Sequence, residues 1–256
     1  MKGKKEVVRL NIVIPMAGLG SRFSRANYEK PKPFIDVAGK PMIVNVLENL
    51  AYPNAKYILI ARKEHLDAEP ELVQMIRKQY NVEFIVIDKL TEGTACTVLF
   101  ARKHINNSIP LLIANSDQIV DMDIAPFVDE CIESGLDGSI LTFIDMHKDP
   151  KWSFAKLDSN GLVVKVKEKE VISNNATVGI YFFTKGKDFV GSAIDMIIQN
   201  ERVNGEFYTC PVYNYMIDNG KRVGVYEIEF DKMHGIGIPQ DLEDYVELLS
   251  KSRGFL

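Results

Sequence analysis

IVIPMAGLGSRFSRANYEKPKPFIDVAGKP, residues 12–41, decides how the rest of the chain is read. Ile12-Val13-Ile14 is an apolar run of the kind that forms a buried strand. It breaks at Met16-Ala17-Gly18-Leu19-Gly20-Ser21-Arg22-Phe23, a glycine-bearing turn with a cation inside it. Lys30-Pro31-Lys32-Pro33 then sets two more cations between prolines. Glycine tolerates positive φ and close approach, so a strand that empties into such a turn offers bare backbone N–H groups to an anion. Arg22 and Lys32 add full positive charge where that anion would sit. The stretch reads as phosphate-handling equipment.

Spacing separates it from two other phosphate-binding patterns. A dinucleotide fold needs Gly-x-Gly-x-x-Gly opening straight into a helix, with an acidic residue closing the second strand. Here Phe23 stands at the third glycine position, no helical pattern is expected to follow at once, and no acid lies near residue 61. The ATPase loop is absent too, because no Gly-Lys-Ser/Thr follows the glycines.

Working outward, the first strand covers 9–15, a helix 41–50, a strand 57–61, one helix 64–80 and a strand 81–88. Thr91-Glu92-Gly93-Thr94-Ala95 opens a helix running to about residue 104. The wholly apolar strand 110–114 then ends in Asn115-Ser116-Asp117-Gln118. Strands alternating with helices imply an α/β fold with a mainly parallel sheet, whose ligands bind at the carboxyl ends of the strands. The glycine turn, Gly93 and Asp117 all emerge there. Beyond it the pattern predicts a helix near 125–134 and a strand 139–145. A hairpin (152–157 and 162–167) turns at Asp158-Ser159-Asn160-Gly161. A strand 177–184 carries Gly179, helices lie near 187–200 and 206–219, and a strand 222–229 precedes a closing helix at about 240–251. Without repeat or linker, residues 1–256 read as one domain, with a nucleotide-binding half (1–137) and an acceptor-binding half (138–256).

At 256 residues, with 46% apolar and 26% charged residues, the chain has the composition of an ordinary soluble globular protein. A net charge of −4 argues against a general nucleic-acid binder. The three cysteines, Cys96, Cys131 and Cys210, lie far apart and suit a reducing compartment and core positions. Residues 1–6 are basic, but Val7-Val8 gives way at once to Arg9, so no signal-type segment is expected. No apolar run is long enough to span a bilayer. The expected setting is cytoplasmic, with homo-oligomerisation left open.

MAGLGSRF at 16–23, KPKPFIDVAGKPMI at 30–43, EGTA at 92–95, NSD at 115–117, EKEVIS at 168–173, ATVGIYFF at 176–183, GEFYT at 205–209 and GIGIP at 235–239 fall in one order. In that order the chain resembles the sugar-nucleotide pyrophosphorylase (nucleotidyltransferase) family over nearly its whole length. The resemblance implies a Rossmann-like three-layer α/β/α sandwich with a mixed, mainly parallel sheet. It also implies attack by the phosphate of a small-molecule acceptor on the α-phosphorus of a nucleoside triphosphate, with Mg²⁺ as cofactor and pyrophosphate released. No general base is needed, because a phosphate monoester is already largely ionised near neutral pH. Two anions must be brought together and the developing charge neutralised, which suits Arg, Lys, backbone N–H and metal.

Carried over onto matching positions, the resemblance implies that Met16, Ala17, Gly18, Leu19, Gly20 and Ser21 cradle the triphosphate. Arg22 holds the leaving pyrophosphate, and Lys32 sits near the α-phosphate and the acceptor phosphate. Gly93, Thr94 and Ser116 lie at the nucleotide, Asp117 binds Mg²⁺, and Glu168, Lys169, Gly179 and Glu206 line the acceptor pocket. Blander readings compete: Asp117 as a strand-ending Asx residue, Glu168 and Lys169 as part of a solvated charge run (165–170), Trp152 as core. His65, His104 and His147 have no partner spacing.

One departure stands out. Relatives commonly carry Asp-x-Gly-Thr-Pro here, its aspartate a second metal ligand, whereas this chain has Gly235-Ile236-Gly237-Ile238-Pro239. Asp231 or His234 could substitute, or Asp117 could suffice with phosphates and water. The NSDQ and MHGIG segments resemble a capsule-cluster subgroup that includes phosphoglutamine cytidylyltransferase, which points to CTP, with UTP, dTTP or GTP and a sugar 1-phosphate as the alternative. Two other classes remain: a glycosyltransferase of the same fold using Asp121-Met122-Asp123 as its metal motif, and a non-catalytic nucleotide-binding regulator.

Overall fold

The computed structural model describes residues 9–253, so the basic stretch 1–6 and Val7-Val8 lie outside the described residues. The chain runs β1 (Leu10–Pro15), α1 (Ser21–Arg25), β2 (Asp36–Val37), β3 (Lys40–Pro41), α2 (Met42–Asn49), β4 (Ala55–Arg62), α3 (Lys63–Ala68), α4 (Pro70–Gln79) and β5 (Val82–Ile87). It continues with α5 (Thr94–Leu99), α6 (Arg102–Ile105), β6 (Leu111–Ala114), β7 (Gln118–Val120), α7 (Ala125–Glu133), β8 (Gly138–Ile144), β9 (Ser153–Leu157) and β10 (Val163–Glu168). It closes with β11 (Asn175–Phe183), α8 (Gly186–Ile198), α9 (Val212–Asp218), β12 (Val223–Ile228), β13 (Met233–Gly235) and α10 (Pro239–Arg253).

The main sheet has nine strands. β5, β4, β1 and β6 are parallel neighbours, and β11 pairs antiparallel with β6. Beyond β11 the sheet divides, with β8 and then β12 on one path and β9 and then β10 on the other. Alternation along each strand feeds two cores. Leu10, Ile12 and Ile14 of β1 face one that holds the apolar sides of α2, α4 and α7, while Val13 faces the other, with α5, α8 and α9. The result is a helix–sheet–helix sandwich, as the resemblance implies.

Several expected elements are corrected. A helix does follow the glycine turn: α1 is five residues long, begins at Ser21 and buries Phe23. Exclusion of the dinucleotide fold then rests on that buried Phe23 and on β4 ending in Arg62. The expected helix 64–80 is two helices. Proline at the first position of α4 disfavours helical backbone in the residue before it, and Glu69 sits at φ −132°, ψ 55°. The helix expected at 91–104 is likewise split into α5 and α6. The helix expected from 206 begins only at Val212, because the residues before it lie extended along the start of α5: Ala95 N–H donates to Phe207 O (3.0 Å) and Phe207 N–H to Glu92 O (2.7 Å).

β7 and β13, each three residues long, form their own antiparallel ribbon beyond the carboxyl end of β6. Asn49 pins that ribbon to α2, its amide donating to Val120 O (2.6 Å) and its carbonyl accepting from Val120 N (2.9 Å). Asn214 does the same for β10 with Val166, at 3.1 and 2.9 Å. Among the described residues no helix is long and apolar enough to cross a membrane.

Candidate active site

Two adjoining cavities, of about 390 and 650 Å³, open above the carboxyl ends of β1 and β6. Gly20, Lys32, Asp117, Gln118, Lys151 and Trp152 line both. The smaller also takes in Met16, Gly18, Thr94, Asn115 and Ser116 on one side, and Glu168, Gly179, Tyr181 and Tyr208 on the other. Into the larger face Ser21, Arg22, Lys169, Gly235, Gly237 and Asp241.

The turn is built by β1 stopping at Pro15 and by Gly20 at φ +61°. A Cβ at Gly20 would stand 2.9 Å from Lys32 Cβ, so glycine answers both to the backbone and to the approach of Lys32. Lys32 begins a single turn of 3₁₀ helix between Pro31 and Pro33, and its ammonium is bonded to Asp117 Oδ2, with a further contact to the Phe23 ring at 5.9 Å. This ion pair is mostly sheltered, the two side chains being 19% and 26% exposed. Among the described residues Arg22 has no ion-pair partner; it stands in the larger cavity as a free cation.

Not every residue singled out from the sequence reaches the cavities. Leu19 is 55% exposed and lines neither, while Ala17 packs in the core beneath the sheet. Gly93 lines neither, and its glycine has a local cause. At φ +117° a Cβ would meet Phe207 N at 2.6 Å, so Gly93 lets the 205–209 segment close over the start of α5. Thr94 Oγ1 completes that contact, accepting from Thr209 N and Thr209 Oγ1 at 3.1 Å each. Gly179, φ +93°, sits where the pairing of β11 with β8 slips, and a Cβ there would lie 2.9 Å from Asn115 Cγ. Gly179 makes room for the side chain of Asn115, which the sequence reading quoted within NSD without giving it a role.

Glu168, the last residue of β10, accepts a hydrogen bond from Ser153 Oγ. Burial pushes its carboxyl above the ordinary value of 4.5, against the lowering effect of Ser153 and Lys169. Lys169 donates to Tyr208 OH (2.8 Å), which donates to Glu206 Oε2 (2.6 Å). Glu206 thus reaches the site only through Tyr208. Trp152 is half-buried, edge-on to Phe143 at 5.4 Å, and lines both cavities, so it is both packed and available. Lys151 and Asp241 escaped the sequence reading, and Tyr208 was quoted only within GEFYT without a role; the folding of distant segments over Asp117 brings them in.

The glycosyltransferase-type motif lies elsewhere. Asp121 is bonded to His234 (2.9 Å), Asp123 caps the Ala125 N–H (2.9 Å), and neither lines a cavity. For a divalent cation, Asp117 is the carboxylate common to both cavities, and among the described residues no three His, Cys, Asp or Glu side chains gather. That sparse set fits Mg²⁺, which takes one or two carboxylates and fills its shell with phosphate oxygens and water.

A family model described as nucleotidyl transferase matches residues 12–207. The mannose-1-phosphate guanylyltransferase catalytic subunit beta of Drosophila melanogaster is 26% identical over 175 residues, 67% of this chain and 47% of that protein. The bifunctional protein GlmU of Methanococcus vannielii is 25% identical over 224 residues, 84% of this chain and 50% of that protein. The chain therefore spans about half the length of the curated relatives it matches. A nucleoside-diphosphate-sugar pyrophosphorylase from Vibrio cholerae RC9 superposes with a TM-score of 0.79 at 24% identity, covering 92% of this chain and 99% of that one. An inositol-1-phosphate CTP transferase from T. maritima superposes at 0.70 and 17% identity, covering 97% of each chain. The two superpositions speak to the fold alone. With the family model extending over residues 12–207 of 256, the chain belongs to the nucleotidyl transferase family.

Proposed function

We propose that this cleft joins a nucleoside triphosphate to a phosphorylated small-molecule acceptor and releases pyrophosphate. The observation that carries the proposal is the position of Lys32 and Asp117, paired where a cavity bearing the glycine turn and Glu168 adjoins one bearing Arg22. An acceptor phosphate oxygen forms a bond to the α-phosphorus as the bond from that phosphorus to the bridging oxygen of pyrophosphate breaks. Lys32 supplies charge between the two reacting phosphates, and Arg22 meets the charge that develops on the leaving pyrophosphate. The backbone of residues 16–21 holds the triphosphate, with Thr94 and Ser116 beside it. Glu168, Lys169 and Gly179 face the acceptor, and Glu206 orients Tyr208 there. Asp117 would hold Mg²⁺, which when bound neutralises phosphate oxygens as a Lewis acid. Lys32 and Asp117 neutralise each other as an ion pair, so a bound triphosphate would offer Lys32 a second anionic partner and leave Asp117 to the metal.

CTP is the proposed donor, on the NSDQ and MHGIG segments, for a capsule or surface-polysaccharide precursor made in the cytoplasm, with an acceptor of the phosphoglutamine kind. A sugar 1-phosphate with UTP, dTTP or GTP is the alternative, supported by the relative named for mannose-1-phosphate guanylyl transfer. A pyrophosphate-release screen of CTP, UTP, dTTP, GTP and ATP against phosphorylated acceptors, with Mg²⁺, tests both. One pair should react well above the rest; silence from every pair would sink the transferase and leave the non-catalytic regulator.

A further inference from the structure

We propose that Asp241, in the first turn of α10, supplies the second carboxylate of the metal–triphosphate site that position 235 lacks. The inference rests on the nucleotidyl-transfer function proposed above. β13 lies antiparallel on β7 with Gly235 opposite Gln118, and Ile236 N–H donates to Asp117 O at 2.9 Å. Residues 235–237 are therefore laid along Asp117. At Gly237 a Cβ would stand 2.7 Å from Asp117 Oδ2 and 3.7 Å from Lys32 Nζ, so no side chain fits there. At Gly235 a Cβ would have room, and among the described residues beyond its chain neighbours it would approach Asp241 Oδ2, at 3.7 Å. The Asp241 carboxylate thus occupies the space into which a side chain at 235 would project, and it faces the same cavity as Asp117 and Arg22.

A second observation points to a ligand at this place. Gln118 is only 7% exposed and lines both cavities, yet its buried Nε2 has no acceptor among the described residues. A buried amide donor beside Asp117 and opposite Gly235 calls for an oxygen that the protein does not provide. The other candidates for the missing ligand fail. His234 is bonded to Asp121 and packed on Tyr245 at 5.0 Å, and neither His234 nor Asp231 lines either cavity. A purely structural role, an acid favoured by the dipole of α10, is the rival explanation.

Mn²⁺ affinity of the full chain separates the two, measured by electron paramagnetic resonance with the α,β-methylene analogue of each of the five nucleotides. Asp241→Asn should weaken Mn²⁺ binding about tenfold or more, with near-ultraviolet circular dichroism unchanged. Gly235→Asp added to that variant should restore the affinity. Unchanged Mn²⁺ affinity in Asp241→Asn, or no restoration by Gly235→Asp, overturns the assignment and leaves Asp241 to the helix. A wild-type chain that binds no Mn²⁺ with any analogue overturns the assignment together with the metal. Mn²⁺ binding that behaves as expected in a chain releasing no pyrophosphate supports Asp241 while removing the transfer reaction.

Discussion

At the scale of single residues, Lys32 and Arg22 differ in what they touch and so in what their loss should do. Lys32 is bonded to Asp117, whereas Arg22 has no ion-pair partner among the described residues. Lys32→Met should lower kcat by roughly 10²–10³ and leave an unpaired carboxylate behind. Arg22→Ala should lower kcat less and raise the KM for pyrophosphate in the reverse reaction, since its partner is the leaving group. Steady-state kinetics in both directions check this; equal effects on every parameter would remove the division of labour. Glu168 carries a pH signature. Its folded-state carboxyl is raised above 4.5 by burial, so the folded chain holds that proton longer than the unfolded one. Ionised Glu168 therefore costs stability, a cost absent below the unfolded value and present above the folded one. Glu168→Gln should match the wild type near pH 4.5 and exceed it increasingly as pH rises. Urea midpoints across pH 4.5–8 would expose the opposite trend if it exists.

At the scale of elements, two asparagines stand in for missing strands. Asn214 offers Val166 both halves of a β-bridge from α9, and Asn49 does the same for Val120 from α2. Asn214→Ala leaves a buried N–H and C=O without partners and should cost about 2–3 kcal/mol. Asn49→Ala frees the ribbon that lies along Asp117, so it should lower activity more than its stability loss explains. Urea denaturation beside kcat/KM measures both; a loss of activity wholly accounted for by unfolding would sink the second expectation. The same elements mark where the sequence was legible. Strands such as β6 and helices such as α2 announce themselves through apolar period, and β9–β10 through its Asp-Ser-Asn-Gly turn. β7 and β13 do not, because three residues carry no period and paired residues such as His234 and Ile119 lie far apart in the sequence. The break before α4 was written in Pro70 all along, since proline opens a helix well but disfavours the helical state one residue earlier.

At the scale of the whole molecule, Arg22 and Asp117 stood out because each follows closely on the end of a strand, and Lys32 because it is set between two prolines; all three are local signals. Asn115, Gln118 and Tyr208 were quoted within motifs but given no role, and Asp241 was not noticed, because what each does depends on which segments fold back over Asp117. Gly93 shows the same limit from the other side: the sequence reading set it at the nucleotide, whereas the contact that calls for glycine, Phe207 pressed against it, lies more than a hundred residues away. The sheet that makes these meetings is continuous. β11, from the second half, pairs directly with β6 of the first, and the smaller cavity takes residues from both. Two halves sharing a sheet and a cavity should unfold together, and a ligand gripped by the first should stabilise the second. In differential scanning calorimetry the chain should melt in one transition. A nucleoside triphosphate at a hundred times its Kd adds about 2.7 kcal/mol, which for a chain of this size moves the midpoint up by roughly 5–10 °C without splitting it. Two transitions, with only the earlier or only the later one moved by nucleotide, would mean that the halves are separate folding units that merely touch at the cleft.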